Sequence, residues 1–245
     1  PQRIEHGGDA GGGDLRIVGE HRRQRMPVHL RPRCHVRLEM IRMQLDEAGD
    51  QQVAGEVDTG AAGITLADGG VTAIEITMTV PNAVALIAEL SHALDDAIIG
   101  AGTVTDARTA QAVIAAGARF VVGPVFRPEI IAACHAHGIA VMPGCFSPTE
   151  ILSAWELGAD IVKVFPATSL GPAFIKDLRG PLPQLRLMPT GGVTRDNAGD
   201  WIRAGAVAVG AGTALVDPKA IAAMRFEIIT ENARQFVDAV RAARP

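Results

Sequence analysis

The chain has 245 residues, of which 48% are apolar, so it is long enough for one α/β barrel or two small domains. Its formal net charge of -4 gives no basic field of the kind that binds nucleic acid or a membrane surface, and no apolar run is long enough to cross a membrane. The three cysteines, Cys34, Cys134 and Cys145, are odd in number and far apart, which favours reduced thiols in a cytoplasmic protein.

The first 64 residues show little sustained apolar period and include a glycine-rich stretch at residues 7–13. We therefore predict an atypical, partly disordered N-terminal extension over residues 1–64 and a barrel body over residues 65–245. His29, Cys34 and His35 have no zinc-like spacing and no second ligand pair, so no metal is predicted. No cofactor is predicted either.

From Leu66 onward, short β-branched runs alternate with alanine-rich stretches of helical period. Such units, with nearly continuous apolar strands, predict a parallel sheet covered by helices. The predicted strands are Val71–Thr77, Ala97–Ala101, Phe120–Gly123, Ala140–Pro143, Ile161–Phe165, Leu187–Thr190 and Ala206–Gly210. The predicted helices are Pro81–Leu94, Asp106–Ala116, Pro128–His137, Pro148–Leu157, Pro172–Leu178, Asp196–Ala204 and Asn232–Ala243. Because a closed barrel needs an eighth strand before Val71, we predict a TIM (β/α)8-type barrel whose first βα unit is atypical or missing.

Lys163 is one of only three lysines, with Lys176 and Lys219, and it alone lies in an apolar strand. Alternate strand residues face a barrel interior, so Glu75 and Thr77 are predicted to point inward together with Lys163. Burying either charge alone costs several kcal/mol, by an order-of-magnitude estimate, so each needs a partner or a chemical role.

Amine catalysis is the chemical role that suits a buried lysine. Desolvation lowers the pKa of the ammonium group, and the free amine condenses with a ketone to form a Schiff base. The protonated imine then stabilises the enamine left when a C–C bond breaks, while a carboxylate such as Glu75 moves protons. The pair alone leaves open the alternative of a buried ion pair that only fixes the register of the barrel.

A phosphate site is indicated by glycine-rich turns after the last two predicted strands, at residues 187–194 and 209–214. Glycine lets backbone N–H groups approach an anion, and barrels often bind phosphate after strands seven and eight. A third glycine-rich strand end, at residues 100–104, places Thr103 at the mouth of the barrel.

At these residues the sequence resembles the 2-keto-3-deoxy-6-phosphogluconate / 4-hydroxy-2-oxoglutarate aldolase family, whose members are class I (Schiff-base) aldolases. The matching segments run in order from about Leu66 to Val216: residues 69–77, 99–104, 142–144, 163–167, 171–176, 189–193 and 210–216.

The resemblance implies a role for each matching residue. Lys163 would form the Schiff base with pyruvate, and Glu75 would be the general acid/base. Thr103 would contact the pyruvate carboxylate, and Thr190 and Phe165 would line the pocket. The phosphate would be held by Gly191, Gly192, Gly212 and Thr213. It also implies a homotrimer that acts in the Entner–Doudoroff pathway on a phosphorylated keto-deoxy sugar acid, giving pyruvate and glyceraldehyde 3-phosphate.

Two departures from the family pattern affect the expected function. Some members have an arginine that contacts the substrate carboxylate where Thr79 stands here, so Thr79 is assigned to the substrate site and the choice of substrate stays open. The family's first strand and its helix rich in alanine and leucine are not recognisable in residues 1–64.

Four alternatives to this function therefore remain at the level of sequence. The chain could act on 4-hydroxy-2-oxoglutarate or on 2-dehydro-3-deoxy-6-phosphogalactonate. It could be a phosphate-binding isomerase or synthase barrel that shares only the glycine turns. It could also be an inactive, truncated barrel.

Overall fold

The computed structural model describes residues 59–244 of the chain. The predicted disorder of residues 1–58, and the residues weighed as a metal site at 29, 34 and 35, lie outside the described residues. Nine helices and seven strands occur in residues 59–244, in the order α1 (Thr59–Asp68), β1 (Ala73–Thr77), α2 (Ala83–Ala93), β2 (Ile98–Gly102), α3 (Ala107–Ala115), β3 (Phe120–Val122), α4 (Pro128–Ala136), β4 (Ala140–Met142), β5 (Gly144–Cys145), α5 (Pro148–Glu156), β6 (Val162–Val164), α6 (Gly171–Arg179), β7 (Leu187–Pro189), α7 (Arg195–Arg203), α8 (Pro218–Ala222) and α9 (Phe226–Ala242). In this part of the chain, no helix is both long and apolar enough to span a bilayer.

All strand pairs are parallel, in a four-stranded sheet ordered β1-β2-β3-β4 and a three-stranded sheet ordered β5-β6-β7. Only Pro143 separates β4 from β5, so one stretch of chain pairs first with β3 and then with β6. The Lys163 N–H donates to the Pro143 carbonyl at 3.0 Å across this junction. The two sheets therefore form one curved wall, as a TIM-type barrel requires.

The predicted strand Ala206–Gly210 is present only in a reduced form. Val207 N–H donates to Leu187 O at 3.0 Å and Gly210 N–H to Pro189 O at 2.9 Å, so the segment runs beside β7. It contributes a single isolated bridge, between Thr190 and Gly210, because the chain turns into glycine-rich residues there. The described wall is not closed between this segment and β1.

Strand residues alternate between two separate apolar clusters. The smaller cluster contains only residues of strands or strand-like segments, from Ala73 on β1 to Ala208. The larger one combines the buried faces of the helices with the alternate strand residues, such as Ile74 and Val162. The small cluster is therefore the barrel interior and the large one is the layer between strands and helices.

Helix α1 corrects the expectation that residues 1–64 contain no helix of the first βα unit. It begins at Thr59, so the predicted boundary between residues 64 and 65 falls within it. Thr230 Oγ1 of α9 donates to Thr65 O at 3.1 Å, and a Cβ built on Gly63 would lie 3.3 Å from Leu90 of α2. The helix is stabilised by these tertiary contacts, whereas its glycines lower its intrinsic helix propensity, which hid it in the sequence.

The other predicted elements are found with boundaries shifted by a residue or two, except that α9 begins at Phe226 instead of Asn232. Helix α8 was not predicted. A strand that would precede α1 lies outside the described residues.

Candidate active site

Lys163 and Glu75 both enter the barrel interior. Lys163 is at the centre of β6 with 0% of its surface exposed, and Glu75 is at the centre of β1 with 1% exposed. The residues two positions before them, Ile161 and Ala73, belong to the interior cluster. Since side chains alternate along a strand, the lysine and the acid share that interior face, as predicted.

The Lys163 amine has an aromatic face beside it. Its Nζ lies 4.6 Å from the centroid of the ring of Phe165, the residue that follows β6. Such a ring face attracts positive charge, by roughly 0.5–2 kcal/mol. Opposite Lys163 in the register of β5 is Gly144, where a side chain would collide with the Pro124 backbone.

Glu75 lies across a glycine of the neighbouring strand. A Cβ built on Gly102 would stand 2.7 Å from Glu75 Cγ and nearer still to the carboxyl group. The close approach explains why glycine is needed at Gly102, whose φ is not positive. Glycine here sets the position of the carboxyl group.

Three threonines surround the carboxyl ends of β1 and β2. The buried Thr77 and the exposed Thr79 share a hydrogen bond of 2.6 Å between their hydroxyl oxygens. Thr103 follows β2 with φ 57°, a left-handed conformation that costs a β-branched residue about 1–3 kcal/mol. The alternation of side chains along the strand predicts that Thr77 faces the barrel interior, but it assigns no function to that side chain. Its hydrogen bond to Thr79 places it in the group of threonines at the carboxyl ends of β1 and β2.

Thr190 directly follows β7 inside the barrel, two residues after Met188 of the interior cluster. It is 2% exposed, and its hydroxyl has no hydrogen-bond partner among the described residues. A Cβ built on Gly210 would come within 3.1 Å of Thr190 Cγ2, so the missing side chain at Gly210 makes room for Thr190. A buried hydroxyl of this kind is available to a ligand.

The two glycine turns present open backbone amides. Gly191 and Gly192 have φ of 96° and 70°, in the left-handed region that favours glycine. Among residues 59–244, nothing accepts a hydrogen bond from the N–H groups of residues 191–193 or of Gly212 and Thr213. The first turn also leads into the N-terminus of α7, which favours an anion.

Two further residues, not predicted from the sequence, lie against the first glycine turn. Thr168 lies beside it, since a Cβ built on Gly192 would be 3.0 Å from the Thr168 hydroxyl oxygen. Asn197 of α7 donates to the Gly192 carbonyl at 2.9 Å. Neither contact has a local signal, because each joins residues that a strand or a turn separates.

The described residues hold no group of three or more histidine, cysteine or acidic side chains able to bind a metal. What the site offers is a buried amine, a buried carboxyl group, several hydroxyls and amide-lined turns. Groups of these kinds can supply nucleophilic and acid–base chemistry.

A family model described as "Aldolase: KDPG and KHG aldolase" matches residues 53–232. The chain is 37% identical over 176 residues to the 2-dehydro-3-deoxy-phosphogluconate aldolase of Treponema pallidum, covering 71% of this chain and 84% of the relative. It is 35% identical over 178 residues to the 2-dehydro-3-deoxy-6-phosphogalactonate aldolase of Escherichia coli, covering 72% and 85%.

Among solved structures, a KDPG aldolase from Legionella pneumophila superposes with a TM-score of 0.72 at 28% identity, covering 81% of this chain and 94% of that one. That structure holds pyruvate captured at low pH as a covalent carbinolamine intermediate. Matches of this extent do not fit the alternative in which only the glycine turns are shared. The chain belongs to the KDPG and KHG aldolase family.

Proposed function

We propose that the chain is a lyase, a class I aldolase that cleaves 2-dehydro-3-deoxy-6-phosphogluconate into pyruvate and glyceraldehyde 3-phosphate. The observation that carries the proposal is the fully buried Lys163 on the same interior face as the buried Glu75. The relatives named as 2-dehydro-3-deoxy-phosphogluconate aldolases support the choice of reaction.

Lys163 forms the covalent intermediate in this mechanism. Its burial favours the uncharged amine, which attacks the C2 ketone of the substrate. Glu75 donates a proton to the carbinolamine hydroxyl, which leaves as water to give a protonated imine. The ring face of Phe165, 4.6 Å from Nζ, is placed to stabilise that positive charge.

Glu75 moves the protons. The carboxylate takes the proton of the C4 hydroxyl as the C3–C4 bond breaks, and the electrons of that bond pass into the imine to form an enamine. Glyceraldehyde 3-phosphate leaves at this step. Glu75 then returns the proton to C3, and water hydrolyses the resulting imine to release pyruvate and the free lysine.

The threonines and the glycine turns at the carboxyl ends of the strands bind the two anionic ends of the substrate. Thr103 and Thr79 contact the carboxylate end, while Thr190 and Phe165 line the pocket between the two ends. The open amides of the two glycine turns hold the phosphate, through Gly191, Gly192, Gly212 and Thr213.

A second candidate substrate is the galactonate epimer, which the similarity to the Escherichia coli phosphogalactonate aldolase favours. A third is 4-hydroxy-2-oxoglutarate, since the matching family model includes KHG aldolases. Comparing kcat/KM for the three substrates with one enzyme preparation identifies the preferred one.

Three further features, expected from the family resemblance, belong to the same proposal. They are an assembly of three copies, a cytoplasmic location and a place in the Entner–Doudoroff pathway. Residues 1–64 are proposed as an atypical extension, and its last six residues belong to α1, which begins at Thr59. An inactive barrel is the contrary outcome, and folded protein that forms no adduct with pyruvate would reveal it.

The test is reduction of the protein with borohydride in the presence of pyruvate, followed by peptide mass mapping. We expect one reduced pyruvate adduct per chain, on Lys163. Lys163→Met should abolish the adduct and the cleavage activity, whereas Lys176→Met, which changes an exposed lysine, should preserve both. Folded protein that forms no adduct, or an adduct on Lys176, would contradict the proposal.

A further inference from the structure

Asn197 connects the glycine turn to the start of α7 with two hydrogen bonds. Its Nδ2 donates to the Gly192 carbonyl at 2.9 Å, and its Oδ1 accepts from the Thr194 N–H at 2.8 Å. The partners fix the orientation of the side-chain amide, because a carbonyl only accepts and a backbone N–H only donates.

The bond to Gly192 determines where the following amide points. In a trans peptide, the C=O of one residue and the N–H of the next point in opposite directions. Holding the Gly192 carbonyl towards Asn197 therefore turns the Val193 N–H away from Asn197. No described residue accepts a hydrogen bond from that N–H.

The turn is also supported from another element. Thr168 belongs to the turn between β6 and α6, and Ala167 N–H in that turn donates to Thr190 O at 2.8 Å. A Cβ on Gly191 or Gly192 would come within 3.3 Å or 3.0 Å of the Thr168 hydroxyl. Gly191 and Gly192 both have positive φ angles, so a larger residue would be strained at either position and would also crowd Thr168.

We propose that Asn197 is a positioning residue that fixes the Gly191–Gly192 turn for the phosphate of the substrate. This inference rests on the proposed function, and it adds a determinant of selectivity for phosphorylated substrates. Asn197 itself does not contact the reacting atoms.

The alternative is that Asn197 only caps α7, since its bond to Thr194 belongs to a capping box. The chain offers a matched control in α5, where Glu150 Oε2 accepts from the N–H groups of Phe146 and Ser147. Glu150→Ala removes a comparable cap from a different helix, which follows β5 and not the glycine turn.

The experiment measures aldol addition of pyruvate to glyceraldehyde 3-phosphate and to glyceraldehyde, which lacks the phosphate. For Asn197→Ala we expect KM for the phosphorylated aldehyde to rise about fivefold to tenfold, the effect of losing one well-placed hydrogen bond. Both kcat and KM for glyceraldehyde should stay within about twofold. Glu150→Ala should lower Tm without changing the ratio of kcat/KM for the two aldehydes.

Asn197→Asp provides a second variant if the alanine variant does not fold, since it keeps the acceptor for Thr194 and loses the donor to Gly192. This variant also adds a negative charge near the phosphate site. Repeating the kinetics at high salt separates the two effects, because salt screens charge repulsion but does not restore a lost hydrogen bond. An equal loss for both aldehydes, or the same change in ratio in Glu150→Ala, would overturn the inference. Failure of the wild-type protein to form the pyruvate adduct would instead overturn the proposed function.

Discussion

Gly102→Ala tests directly whether the position of Glu75 matters for catalysis. The added Cβ would stand 2.7 Å from Glu75 Cγ, whereas carbon atoms in contact prefer about 3.5–4.0 Å. The carboxyl carbon and Oε1 stand closer still, so the carboxyl group must move by at least about 1 Å. Gly102 has no positive φ, so the backbone tolerates alanine and the effect falls on the Glu75 side chain.

A displacement of about 1 Å can cost about 100-fold in rate, and a well-placed general acid/base contributes about 100- to 10,000-fold. We therefore expect kcat for cleavage to fall about 100-fold, with a smaller change in KM. Overpacking should also lower the free energy of unfolding by about 1–3 kcal/mol.

Gly100→Ala is the matched control, because it adds a methyl group on the same face of β2 but against the Phe120 ring. It should cost similar stability while leaving kcat much closer to wild type. Steady-state kinetics with urea unfolding separates the two effects. A Gly102→Ala enzyme that folds and keeps full kcat would refute the assignment of Glu75.

The remaining predictions concern strain and pH. Thr103→Gly should raise the free energy of unfolding by about 1 kcal/mol, because relief of the strain at φ 57° outweighs the entropy cost of glycine. The same change should weaken pyruvate binding. A lower Tm for this variant would contradict the assigned strain. Burial, with the negative charges of Asp160 and Glu150 respectively, raises the pKa of the Cys134 and Cys145 thiols to about 12. Both should therefore resist thiol reagents at pH 8 until the protein unfolds. The thiols of the unfolded chain lose their protons at lower pH than those of the folded protein, so the free energy of unfolding should fall between pH 9 and 12. The loss should be about 1 kcal/mol per thiol at pH 10. Cysteine-to-alanine variants measured by urea unfolding should show a shallower fall.

Much of the fold follows from local periodicity. Short, nearly continuous apolar runs located six strands. The inward direction of Glu75 and Lys163 followed because a strand reverses its side chains at every residue. Helix α1 was missed because its glycines weaken the local pattern, and contacts with α2 and α9 stabilise it. Local propensity cannot register contacts between residues far apart in sequence.

The sequence by itself determined that Lys163 stands in an apolar strand and that glycine turns follow the last strands. Both statements depend only on neighbouring residues. Only the tertiary structure decided that Glu75 lies across Gly102, that Thr103 has a left-handed backbone and that Asn197 holds the Gly192 carbonyl. These relations arise when the barrel brings separate strands and turns together, and their distances are fixed by packing, which no spacing along the chain encodes.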